Sequence, residues 1–337
     1  MNWLSIDIGG ANIKVADGKG FAAAYPFPLW KQASSLTHEL RRVISESPPS
    51  DHLVATMTGE LADCFTTKEE GVLAILDALQ EAADGRHTRI YVNDGTMVTP
   101  LVAGRRHSEV AAANWHALAR FAGRFMELGA ALLVDVGSTT CDIIPFRDGL
   151  PIHVGMTDTQ RLITGELLYT GIERSPLCAI THHVPYRDHI CPLAQEFFAT
   201  TLDAYVLLGE IPEASANECT ADGRPATKAH ARSRLARSIC ADSEHFNHRD
   251  AVAMAQSVAE SQAELLTTAM ERVLQRIDES PRSVVVSGHG EFLARRSFQN
   301  YGLDCPIISL REQLGPSISR CATAHALASI AQESAGP

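Results

Sequence analysis

The chain is short of positive charge. Its 337 residues carry 29 lysines and arginines against 40 aspartates and glutamates, a formal net charge of -11. A nucleic-acid surface usually appears as a basic patch or stripe, so this balance points away from DNA and RNA as partners. Long apolar runs are also missing. None approaches the ~20 residues a membrane span requires, and the first apolar stretch is broken by Asp7 and Lys14, unlike a secretory leader. The expectation is a cytoplasmic protein with no membrane partner. The eight cysteines, at 64, 141, 178, 191, 219, 240, 305 and 321, include no CxxC pair and fit reduced thiols better than a disulfide framework.

What is present is an ordinary globular composition, 45% hydrophobic and 20% charged, long enough for two domains. Apolar runs at 4–8, 13–16 and 21–25, separated by Gly-containing turns, predict a strand meander. Helix near 36–44, strand at 53–57, helix at 68–83, strand at 89–92 and a long apolar helix at 108–128 follow. A second trio of strands is predicted at 131–136, 141–146 and 151–154, with Asp148-Gly149 as a tight turn. A mostly helical stretch runs over about 160–276, with a loop near 221–225. Strands at 283–287 and 306–310, a terminal helix through about 331 and a frayed tail "ESAGP" close the chain.

The two halves begin alike. Superposing Asp7 on Asp135 pairs "IDIGGANIKV" with "VDVGSTTCDI", a displacement of 128 residues. That is a domain-sized repeat, which predicts two similar α/β domains around a cleft. Each copy is a buried strand ending in a carboxylate, then a turn of small residues. Gly9, Gly10 and Gly137 let successive N–H groups point into one concavity, where anionic oxygens bind. Asn12, Ser138, Thr139 and Thr140 add side-chain donors, and Lys14 adds a point charge. Asp7 and Asp135 would repel phosphate directly but suit Mg2+, which bridges carboxylate and phosphate oxygens.

These paired motifs resemble the phosphate loops of the actin, sugar-kinase and Hsp70 superfamily, an actin-like ATPase fold of two RNase H-like domains. "DVGSTTCDI" is most similar to the hydantoinase and oxoprolinase branch. "TMTGELADCF" (56–65), "VNDGTMV" (92–98), "AAANWHALA" (111–119), "GELLYTGIERSP" (165–176) and "EFFATTLDAYVLLGEI" (196–211) resemble the methanofuran-pathway members of that branch over nearly the whole length. The resemblance implies domains 1–128 with 315–332 and 129–314, the second carrying the helical insertion. It also implies a condensing transferase with small-molecule substrates. A furanylmethyl diphosphate would meet the phenol of a tyramine-type amine, and pyrophosphate would leave. Such a site needs charge neutralisation at the leaving group and a base for a phenol of pKa near ~10.

Asp94 and Glu60 are the candidate bases. Asp142, which aligns with Lys14, is assigned to the cleft as a partner for an ammonium group or metal. Substrate contacts are expected from Asn114, from Glu166, Tyr169 and Thr170 at a helix start after Gly165, and from Gly288, His289 and Gly290 in "GHGEF". Trp115 reads as core. An ATP-dependent kinase or amidohydrolase is the competing reading, with Asp94 activating an alcohol. His289 and Glu291 stand where adenine would lie flat, which argues against ATP. A non-catalytic nucleotide-binding or scaffold protein is the third, and self-association is left open. The His- and Cys-rich stretch "CAITHHVPYRDHIC" (178–191) matches no standard zinc spacing and reads as a surface loop.

Overall fold

The computed structural model describes residues 2–334. The expectation of a frayed tail over 333–337 falls largely on residues 335–337, outside the described part, while the helix Ala322–Ser334 covers its first two residues.

Strands β1 (Trp3–Ile8), β2 (Asn12–Ala16), β3 (Ala22–Pro26), β4 (His52–Met57), β5 (His87–Tyr91) and β6 (Met97–Val98) form one sheet in the order β3-β2-β1-β4-β5-β6. Strand β1, "WLSIDI", is buried at every position, as a central strand covered on both faces must be. It pairs antiparallel with β2 and parallel with β4.

The second sheet repeats the plan. Strands β7 (Ala130–Val136), β8 (Cys141–Arg147), β9 (Leu150–Pro151) and β10 (Leu167–Leu168) come first. Strands β11 (His183–Tyr186) and β12 (His189–Pro192) stand apart as a ribbon, and β13 (Ser283–Ser287) and β14 (Ile307–Ser309) complete the sheet in the order β10-β8-β7-β13-β14. Where the first sheet has β3, the second has two short strands sharing the edge of β8. Strand β9 pairs at Phe146 and Arg147, and β10 pairs at Cys141 and Asp142. The β10 end carries the chain back to the cleft.

The helices Asn114–Ala122 and Ala322–Ser334 lie between the two sheets. Trp115, Leu118 and Phe121 of the first pack with Leu133, Phe146 and Val285 of the second sheet, while Ala117 and Leu327 pack with Trp3, Val54 and Tyr91 of the first. The long helix His248–Leu274, opened by an Asn247–Asp250 capping box, divides its duties along its length. Ala251 to Val258 face a small helical cluster, and Ala259 onwards covers the second sheet.

Three sequence expectations are corrected. The predicted helix over 108–128 is broken into His107–Val110 and Asn114–Ala122. Ala111 makes a parallel bridge to Met57, and Ala112 adopts φ of 50°, a sparsely populated conformation for alanine. Tertiary pairing overrides the helical pattern there. The stretch 160–276 is not continuously helical, because it contains β10 and the β11–β12 ribbon. Gly165 does not precede a helix. It ends one, Asp158–Thr164, with φ of 80°.

Candidate active site

The two phosphate-type loops are built identically. In the first, Ile8 faces Ile13 across the ladder and Gly9 N donates to Asn12 O at 3.0 Å. In the second, Val136 faces Cys141 and Gly137 N donates to Thr140 O at 2.9 Å. A side chain at Gly9 would bring its Cβ within 2.8 Å of Asn12 O, so the turn requires glycine. The N–H groups of Gly10, Ala11, Ser138 and Thr139 make no backbone hydrogen bond among the described residues, which leaves them free to bind anions.

The register also sets the charges. Asp7 lies opposite Lys14 on β1–β2, and Asp135 lies opposite Asp142 on β7–β8. One half therefore presents an acid and a base, the other two acids. Both loops line one cleft of about 280 Å3, near the lower end of small-ligand sites. Burial pushes the Asp135 carboxyl up, and nearby Ser287, Lys14 and His289 only partly hold it down. Burial likewise raises Asp142 to about 6, against the pull of Arg161, whose guanidinium lies 2.9 Å away. That guanidinium also stacks 4.0 Å over the Trp115 ring.

Glu60 follows β4 and forms part of the cleft wall. It is 1% exposed, its Oε2 has no hydrogen-bond partner, and burial raises its carboxyl to about 7. The kinked Ala112 supplies a backbone N–H toward this carboxyl, so the break in the predicted helix has a local use. A carboxyl at this value, in a cleft and with one oxygen unpartnered, has the properties of a general base near neutral pH.

Asp94 is placed differently. It is not among the cleft-lining residues; it pairs with Arg106 at 2.7 Å and accepts from Thr96 N and Oγ1. Its slight burial acts to raise its carboxyl, but Arg106 and Thr96 win and hold it at about 2, too low for a useful base. Glu166 is also structural. Its two oxygens accept from Val154 N and Gly155 N, and Arg276 pairs with it at 3.1 Å. Thr170 is buried in hydrogen bonds with Ser175 and Gln262. Of the "GELLYTG" candidates only Tyr169 reaches the cleft, and it is 54% exposed. Asn114 lines the cleft as well, while its Oδ1 accepts from Trp115 N.

Gly288 and Gly290 press against the end of β7 instead of lining the cleft. A Cβ at Gly288 would come within 2.2 Å of Val136 O, and Gly290 N donates to that oxygen. His289 is joined to Glu173 at 3.1 Å. The segment after β10 supports the second loop directly: Ile172 N donates to Gly137 O, and the N–H groups of Glu173 and Arg174 donate to Ser138 O. The stretch 178–191 starts in the short helix Leu177–Ile180 and continues through most of the β11–β12 ribbon.

Several cleft residues escape sequence reasoning. Thr323, on the last helix, donates to Asp7 Oδ2; Asp158 lines the cleft and pairs with Lys68 at 2.9 Å. Trp30 and Arg174 meet across it, the guanidinium 4.5 Å from the ring centroid. Trp115, read as core, lines the cleft floor as well.

The lining has too little positive charge to hold a phosphate compound alone. Asp7, Glu60, Asp63, Asp135, Asp142 and Asp158 outnumber Lys14, Arg161 and Arg174. A divalent cation fits this balance, because Asp7 Oδ1 is buried with no partner and Asp135 lies on the same cleft. Among the described residues no three acidic, His or Cys side chains form a ready-made metal cage. The donor set suits Mg2+, which commonly takes one or two carboxylates and completes its shell with water and phosphate oxygens.

The sequence profile of the hydantoinase/oxoprolinase family matches residues 51–334. The chain belongs to the hydantoinase/oxoprolinase family. It is 32% identical over 336 residues to a curated protein of Methanocaldococcus jannaschii, covering 98% of this chain and 97% of the relative. That relative is named (4-{4-[2-(gamma-L-glutamylamino)ethyl]phenoxymethyl}furan-2-yl)methanamine synthase. A protein of the same name from Methanococcus vannielii is 30% identical over 190 residues, covering 56% of this chain and 84% of that one. This family member is an enzyme. Its fold is shared with a chain of the PilM–PilN type IV pilus biogenesis complex at a TM-score of 0.50 and 14% identity, covering 97% of this chain and 98% of that one. Among the described residues no helix is long and apolar enough to cross a membrane.

Proposed function

We propose that this enzyme is a transferase that condenses a furanylmethyl diphosphate with a phenolic, tyramine-type acceptor in building a methanofuran-like C1 carrier. The phenolic oxygen forms a bond to the furanyl CH2 carbon while that carbon's bond to diphosphate oxygen breaks. The phenol proton goes to a base, and pyrophosphate leaves with the bonding electrons. The relatives' name describes this linkage, a phenoxymethyl group on a furan.

The observation that carries the reading is Glu60, a buried carboxyl at about 7 in the same cleft as two anion-binding loops. It takes the phenol proton as the C–O bond forms. The N–H groups of Gly10, Ala11, Ser138 and Thr139 bind the diphosphate, and Lys14 adds charge beside Asp7. Asp7 and Asp135 would hold Mg2+, which when bound neutralises the leaving group. The kinase reading assigns the base to Asp94, whose pairing with Arg106 outside the cleft lining does not suit that role.

The test is to supply both substrates and Mg2+ without nucleotide. Aryl ether and pyrophosphate are expected in equal amounts. No ether, or ether only when ATP is consumed, would remove the proposal.

A further inference from the structure

Two elements that support the two phosphate-type loops meet at the cleft edge. Arg174 is anchored to the second loop through its N–H on Ser138 O. Trp30 lies in the helix Leu29–Gln32, which is fastened to the first loop by Leu29 N donating to Gly10 O. Between these anchors the Arg174 guanidinium stacks on the Trp30 indole, 4.5 Å from its centroid, and both side chains line the cleft. The other two lining cations are placed differently. Arg161 is committed to Asp142 and buried under Trp115, and Lys14 is fixed on the β2 ladder opposite Asp7. Arg174 makes no ion pair or side-chain hydrogen bond among the described residues, so its five N–H donors are free for a ligand.

We propose that Arg174, held over Trp30, is a further catalytic residue that binds the diphosphate from the cleft edge and bridges the two loops. This rests on the diphosphate reading above and names the residue that completes it. The guanidinium is planar and matches phosphate oxygens in pairs, while stacking fixes its plane without using its N–H groups. Trp30 thus acts as a positioning residue, and the pair joins the two halves of the cleft. Departing pyrophosphate carries more charge than the ester it leaves, so an edge cation aids the transition state more than substrate binding.

The experiment measures binding of inorganic pyrophosphate with Mg2+ to the full chain by calorimetry, which needs no ether formation. The wild-type protein is expected to bind it. Arg174→Ala weakens that binding at least about tenfold, the scale of a lost charge-assisted hydrogen bond. Arg174→Lys keeps the charge but loses the fork, and falls between. Trp30→Ala weakens binding about threefold to tenfold, with no further loss when added to Arg174→Ala, because both act through one guanidinium. Unchanged pyrophosphate affinity in folded Arg174→Ala, or full additivity of the two substitutions, overturns the proposal. Failure of the wild-type protein to bind pyrophosphate overturns the diphosphate reading itself.

Discussion

Thr323 Oγ1 donates to Asp7 Oδ2 at 2.5 Å, tying the last helix to the end of the first strand across 316 positions of sequence. The bond engages one oxygen of the carboxylate. The other, Oδ1, is buried without a partner. The last helix thereby fixes how the first loop presents its charge.

Removing that bond gives the first prediction. Thr323→Val keeps the side-chain shape but leaves Asp7 free to rotate, with an expected loss of about tenfold in apparent Mg2+ affinity. Thr323→Ser restores it. An Mg2+ titration of turnover reads the effect; an unchanged curve for the valine variant would show that Thr323 does not position Asp7.

Glu60 sets the pH dependence. A base must be ionised to accept a proton, so the rate rises with pH through about 7. Glu60→Gln lowers kcat by about 10²- to 10⁴-fold. Asp94→Asn, whose partner is the partly exposed Arg106, leaves kcat within about twofold. Stability moves as well. The folded value of about 7 lies above the ordinary glutamate value of 4.5, so this group's contribution is present below pH ~4.5 and is lost as pH rises through 7. The Tm of Glu60→Gln relative to wild type should therefore climb from pH 5 to pH 8, and a difference that stays flat speaks against the raised carboxyl.

Gly171 carries the third prediction. A Cβ there would fall 2.4 Å from Ser138 C and Thr139 N, inside the backbone of the second loop. Gly171→Ala must displace that loop, at about 1–3 kcal/mol in stability and with a loss of pyrophosphate binding. Denaturant unfolding together with calorimetry measures both; native affinity in this variant would mean that the loop does not bind the anion.

The paired loops were legible because a domain-sized repeat puts the same residue types in the same order. Asp7 and Asp135 end buried strands, and small residues follow each. Asp94 misled for a physical reason: "NDG" is also a turn signal, and here Asp94 accepts from Thr96 N beside Gly95 at φ of 86°. Glu166 misled because Gly165 ends a helix where the motif suggested a beginning. Thr323, Trp30, Arg174 and Asp158 left no local signal. Each acquires its place through a partner distant in sequence, and only the folded chain brings them together. Ala112 was hidden by its surroundings, since an alanine-rich run reads as helix until the Ala111–Met57 bridge breaks it.

In the proposed reaction carbon, and not phosphorus, is the atom attacked. Acceptor labelled with 18O at the phenol tests it most directly, by mass spectrometry of both products after one turnover. The label is expected wholly in the aryl ether, with pyrophosphate unlabelled. Label bonded to phosphorus, in an aryl phosphate, would show phosphoryl transfer and contradict the account.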